Sequence, residues 1–190
     1  TNAATGATTF AGAVSVGSAT LKGTTFAVNN SFATTAGLLS VTNSGVFTKN
    51  ATGSISSYGD FSTTGPVNLA SNISVTTASS GLTIGGALVV AEAASVTLTT
   101  NNGPITLSST ADGTSGGSSE NLTFNTGNGI VSVTGAVGGI APLGSMIITN
   151  SGSVTFSGAI TLTSALTQTN AATGATTFTG AVSVGSATLK

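Results

Sequence analysis

Seven charged side chains make up the whole set available for acid–base or ionic chemistry: Lys22, Lys49 and Lys190, and the carboxylates Asp60, Glu92, Asp112 and Glu120. The chain has no His, no Cys and no Arg. General acid–base catalysis needs titratable groups held close to one another and to a substrate. Without His or Cys, the serine and cysteine triads and the usual zinc ligand sets cannot form. The four carboxylates fall in separate turns or strands with no D-x-D or E-x-x-E spacing, and only Glu92 and Glu120 would approach each other on a common face. The expectation is a non-enzyme with no catalytic residue, no metal site and no cofactor.

Charged residues are 4% of the 190-residue chain, against about 25% in ordinary soluble domains. Three scattered lysines cannot neutralise a run of phosphates, so nucleic acid is not an expected partner. They form no polybasic patch, and no apolar run approaches the ~18 residues of a membrane helix, so membrane insertion is not expected either. Hydrophobic residues nevertheless make up 39% and are spread along the whole length, so the chain can bury a core while its hydroxyls and amides meet water.

Three polar or aromatic patterns remain. Asn29, Asn50, Asn72 and Asn121 each open an N-x-[ST] glycosylation acceptor, although a chain this rich in Asn, Ser and Thr produces such matches by chance. Thr-x-Thr occurs at 97–99, 161–163 and 167–169 but not at every expected coil, which reads as ordinary outward-facing strand threonine rather than an ice-binding array. Several of the eight phenylalanines fall at the inward phase of strands, and Phe10, Phe156 and Phe178 share one place in the repeat, so they read as a core stack rather than sugar platforms.

Which elements would position these groups? Apolar residues alternate with period two in Ser95–Thr99, Ile130–Thr134 and Ala159–Thr163, which describes strands with one buried face. Asn, Gly and Pro clusters punctuate them, as at 43–45, 101–104 and 125–127. The chain also copies itself. Residues 1–22 and 169–190 differ only at Ala11 against Thr179, so a 168-residue super-repeat runs from Thr1 to the second start at Thr169. Inside this super-repeat a finer period appears, as T-F-x-G-A-[VI] phrases recur around Phe156 and Phe178.

Matching strand starts from Thr20-Leu21 to Thr188-Leu189 gives successive spacings of 26, 21, 21, 33, 25, 20 and 22, about seven coils per super-repeat. Coils of this length with three short strands predict an all-β fold, a parallel β-helix forming a single segment over residues 1–190. An antiparallel sandwich is the competing reading. The polar, Gly-rich stretch 109–120 is expected to protrude and to account for the 33-residue coil.

Residues 121–164, NLTFNTGNGIVSVTGAVGGIAPLGSM continuing to IITNSGSVTFSGAITLTS, resemble the repeats of giant bacterial surface proteins of the filamentous-haemagglutinin-like and β-strand-repeat adhesin type. The resemblance implies a right-handed β-solenoid at the cell surface or outside the cell, a stalk or fibre segment with no catalytic residues. The expected partner is the chain itself, head to tail along the fibre axis, either as a covalent array or as stacked filament subunits. Surface glycans are a further expectation, and a sugar- or ice-binding module is the remaining alternative.

Overall fold

The structure, a computed structural model, describes residues 2–114, 119–170 and 173–190. Among them no helix forms, and every strand pairing is parallel. Most strands are three residues long with burial in–out–in: Phe61–Thr63, Leu82–Ile84 and Val154–Phe156 each point two side chains inward and one outward. Such a strand is too short to be stable alone. Its N–H and C=O groups are satisfied by the coils before and after it, so stability comes from stacking.

The stacked strands form three faces. Face A runs through Leu39–Asn43, Phe61–Thr63, Leu82–Ile84, Ile105–Leu107, Val131–Val133, Val154–Phe156 and Thr176–Phe178. Face B runs through Phe47–Lys49, Val67–Leu69, Leu88–Val90, Ala111–Asp112, the bridge residue Val137, Ile160–Thr161 and Val182–Ser183. Face C has nine strands, from Val14–Val16 to Ser186–Thr188, and the eight steps between them make about eight turns. Near the start, the long strand Ala19–Val28 covers faces A and B without a break, pairing with Leu39–Asn43 and then with Phe47–Lys49. At roughly 4.8 Å per layer the stack is about 38 Å tall. The expected parallel β-helix is the fold.

The core is one continuous apolar column. Phe47 and Phe61 meet edge to face at 6.3 Å, as do Phe124 and Phe156, while Phe156 and Phe178 stack at 5.6 Å. Phe26, Phe32, Phe47, Phe61, Phe124 and Phe156 are buried, and Phe10 and Phe178 pack against the core from the outermost layers. The phenylalanines therefore sit inside, as their phase implied.

Coil lengths differ from the sequence expectation. The in-register step from Val14 to Phe32 is among the shortest and that from Ile105 to Val131 among the longest, and no step is as long as the expected 33-residue coil. Leu88 pairs forward with Ala111, whereas Asn121 pairs back with Ser95. Reading Leu88 against Asn121 crossed from face B to face C. The physical reason is that all three faces demand the same in–out–in triplet, so periodicity locates strands without saying which face they occupy. The expected protrusion over 109–120 likewise does not hold for its described residues 109–114. Ala111–Asp112 is a buried strand of face B, and residues 115–118 lie outside the described residues.

Two corners carry repeating devices. Between faces A and B, Gly65, Gly86, Gly135, Gly158 and Gly180 lie in equivalent positions, with Ser109 in the layer between Gly86 and Gly135. A Cβ on Gly135 would come within 2.5 Å of the Ser109 carbonyl carbon, and one on Gly180 within 2.5 Å of the Gly158 carbonyl carbon. Backbone lies directly on backbone there, which explains the G in the recurring T-F-x-G-A-[VI] phrase. Between faces C and A, buried hydroxyls of Thr34, Thr100 and Thr126 donate to the carbonyls of Gly37, Gly103 and Gly129 at 2.6–2.7 Å, and Ser57 donates to Asp60 at 3.2 Å. Each closes a tight turn with a side chain of the same type.

Candidate functional site

Three of the four carboxylates fall at one corner of adjacent coils and the fourth at another. Asp60 is exposed at the corner between faces C and A, where its Oδ1 accepts from the Gly81 amide at 2.8 Å. Glu92 is exposed at the corner between faces B and C. Asp112 and Glu120 flank that same corner one layer further on, and both are buried. The structure thus puts Glu92 and Glu120 at one corner of adjacent coils, but with opposite environments. Among the described residues no group of three or more His, Cys, Asp or Glu could hold a metal ion.

The buried acids are structural in their contacts. Asp112 Oδ1 accepts from the Ile140 amide at 2.9 Å. Glu120 Oε1 accepts from the amide and hydroxyl of Thr114, and the Glu120 carbonyl accepts from Gly144 at 2.8 Å. Gly113 in turn donates to the Ala141 carbonyl at 2.9 Å. The two acids therefore tie the segment 138–144, with Ile140 at its exposed tip, onto the preceding coil. Burial pushes the Glu120 carboxyl up, but hydrogen bonds from the Thr114 hydroxyl and from the backbone at Glu120, Thr114 and Ser119 outweigh it and hold the group below its ordinary value.

Lys49 is the side chain whose position sequence reasoning missed. It points inward from face B and is 1% exposed. Its Nζ donates to the carbonyls of Asn50 and Thr52, each at 2.7 Å. Desolvation lowers its pKa. The signal was present, since Phe47-Thr48-Lys49 repeats the in–out–in triplet and the third position of that triplet points inward.

The four acceptor asparagines are not equivalent. Asn50 Nδ2 donates to Asn29 Oδ1 at 2.7 Å, and Asn121 Nδ2 donates to the Ser95 hydroxyl and the Ser119 carbonyl, each at 3.1 Å. A glycan on either nitrogen would break a link between coils. Asn72 is exposed, with Oδ1 accepting from the Thr97 amide at 2.8 Å, and Asn29 is half-buried.

The most regular surface feature lies on face A. The literal Thr-x-Thr triplets do not share a face: 97–99 and 167–169 belong to face C, and 161–163 starts on face B. The looser pattern [ST]-x-[ST] does recur, in register, on face A. Thr20, Ser40, Ser62, Thr83, Thr106, Ser132, Thr155 and Thr177 form one outward column of eight layers. Two residues on from Ser40 and its successors, Thr42, Thr64, Gly85, Ser108, Thr134, Ser157 and Thr179 form a second, broken only by the glycine. The hydroxyls of Ser40 and Ser62 are 3.2 Å apart. Layers repeat every ~4.8 Å and the two columns are about 6.7 Å apart, so the face presents a two-dimensional hydroxyl lattice. Accepting either Ser or Thr, and reading by face, was what the sequence pattern required.

Three-sided parallel stacking around a continuous apolar core defines the class as a β-solenoid with a hydroxylated surface. No protein-family model, no curated protein and no solved structure matches this chain.

Proposed function

We propose that this chain is a non-catalytic structural segment, a stiff rod of stacked β-coils within a bacterial extracellular fibre or adhesin stalk. One observation carries the reading. The backbone ladders of all three faces run in parallel register through about eight turns around an unbroken apolar core. A rod whose hydrogen bonds lie along its axis resists stretching and bending, and its strands offer a protease no slack backbone. The near-duplicate segments 1–22 and 169–190 support a covalent array of 168-residue units. Its alternative is a filament of separate subunits. Electrophoresis of the native material in denaturant separates the two: a polypeptide many times 17.9 kDa is expected, and single chains of that mass would replace the array with the filament.

A second reading is favoured by the two hydroxyl columns of face A. A regular lattice of Ser and Thr suits binding to another periodic, hydroxyl-rich surface, either ice or a crystalline polysaccharide. Ice-recrystallisation and insoluble-glycan pull-down assays test it, and two negative results remove it.

A further inference from the structure

The near-identical segments at the two ends of the chain occupy different faces. In the first, Thr8–Phe10 pairs with Phe26–Val28 on face B, and Val14–Val16 pairs with Phe32–Thr34 on face C. In the second, the same residues shift back by one face. Thr176–Phe178 pairs with Val154–Phe156 on face A, Val182–Ser183 with Ile160–Thr161 on face B, and Ser186–Thr188 with Ala165–Thr167 on face C. Phe10 lies in the first layer and Phe178 in the ninth, one third of a turn short of eight full turns. The super-repeat therefore spans seven and two-thirds turns, which sharpens the expected figure of about seven.

The offset costs nothing locally. Each face asks for the same triplet, so a strand needs the right neighbours above and below and not a particular side of the triangle. Its consequence is global. The first hydroxyl column starts at Thr20 in the second layer and the second at Thr42 in the third, and they end at Thr177 and Thr179 in the ninth, all on face A. Thr188, the counterpart of Thr20, already lies on face C in the ninth layer. The unit that follows in a repeating chain would carry Ser40's counterpart one face back, on face C, in the tenth layer. One strip ends where the next begins, on the neighbouring side.

We propose that the repeating fibre displays its hydroxyl lattice as a staircase, about seven layers on each side in turn, returning to the first side after three super-repeats. This rests on the array reading above. It makes the fibre surface equivalent all round. A flat, periodic, hydroxyl-rich surface would meet a strip about 30 Å long on any side but no continuous stripe.

The face offset can be tested in this chain alone, which has no cysteine to remove. Thr83 lies on face A in the fifth layer, four layers from both Thr9 and Thr177, and all three are exposed. Spin labels on T83C/T177C should report a backbone separation of about 19 Å, and those on T9C/T83C a distance longer by several ångström because the labels sit on different faces. A second pair of variants, V89C/S183C and S15C/V89C, makes the same comparison from face B. Equal distances within each pair overturn the proposal. In the native fibre, diffraction should index on an axial period of about 110 Å, from three super-repeats. A period of about 34 or 38 Å, from seven or eight whole turns, overturns the staircase while leaving the array intact. Native material made of single 17.9 kDa chains overturns the array and the staircase together, with the offset inside one chain still measurable by the labels.

Discussion

The corner between faces A and B and the corner between faces B and C obey opposite rules. From the face A column to the face B column the chain takes six residues in six consecutive coils, as from Phe61 to Val67 and from Thr176 to Val182. From face B to face C it takes six between Val67 and Ile73, ten between Leu88 and Leu98, and thirteen between Ala111 and Phe124. The first corner is a stack of glycines interrupted by Ser109, with backbone pressed against backbone from layer to layer. The second holds Glu92, Asp112, Glu120, Lys49 and the exposed Ile140. A solenoid thus fixes its pitch at one corner and keeps its variation at another, and the few charges collect where the backbone is not pressed against the next coil.

The sharpest way to break this contrast is to put a side chain into the tight corner. Gly135→Val would drive Cβ to 2.5 Å from the Ser109 carbonyl carbon and 2.6 Å from the Thr110 amide, both backbone atoms that cannot step aside. Gly135 does not have positive φ, so the conflict is one of space and not of backbone conformation. A loss of about 4 kcal/mol is expected, read as faster amide exchange in the strands on either side. Ala51→Val, at the exposed second corner, should change stability by no more than about 0.5 kcal/mol. Similar losses at both sites would mean that the corners do not differ.

The contrast also marks what was legible in the sequence. Strand phase was, because a buried triplet needs inward residues at both ends, and Phe61-Ser62-Thr63 or Val154-Thr155-Phe156 shows this plainly. Face assignment was not. Leu88 and Asn121 both open good triplets, and only stacking shows that they belong to different sides. The shared corner of the acids was legible only in part: the sequence brought Glu92 near Glu120 but did not place Asp112 beside them. Lys49 could not be placed by charge, because its burial follows from its neighbours' phase and from two backbone carbonyls brought round by the turn. The hydroxyl lattice was hidden for the same reason as the faces: its members are one coil apart in sequence and adjacent only once stacked.

Lys49 sharpens the comparison from the permissive side. Its amine is buried without a carboxylate, and desolvation lowers its pKa from 10.5. The folded state therefore binds its proton less well than the unfolded state does. Stability should rise with pH from the lowered folded value up to about 10.5, where the unfolded chain also loses the proton. Lys49→Met keeps the apolar stem and removes the charge, so it should abolish that rise and stabilise the protein at neutral pH by about 1 kcal/mol. Denaturant titrations at neutral and alkaline pH measure both. An unchanged slope in the variant would place the amine in water.

Glu120 gives the opposite sign. Its folded pKa is lowered relative to 4.5, so its contribution is present above that pH and lost as the pH falls through the depressed folded value. Glu120→Gln should remove this acid-side loss and cost about 1 kcal/mol at neutral pH, through weaker hydrogen bonds from Thr114. Amide exchange of Gly113 and Gly144, whose hydrogen bonds dock the segment 138–144, is the local readout. Exchange that speeds up equally in face A would show that this corner is not the independent, adaptable element described above.

The smallest expected effect lies on the regular face itself. Thr106 sits in the middle of the hydroxyl column with Thr83 and Ser132 as in-register neighbours. Thr106→Val keeps the β-branched shape and strand preference while removing one outward hydroxyl. Because the side chain is half exposed and the backbone ladder is untouched, stability should change by less than about 0.5 kcal/mol. A larger loss would mean that the hydroxyls stabilise one another along the axis and belong to the rod's cohesion. A neutral result leaves the column's regularity without a role in folding. Its selection would then have to come from outside the fold, from whatever surface meets the hydroxyl column of face A.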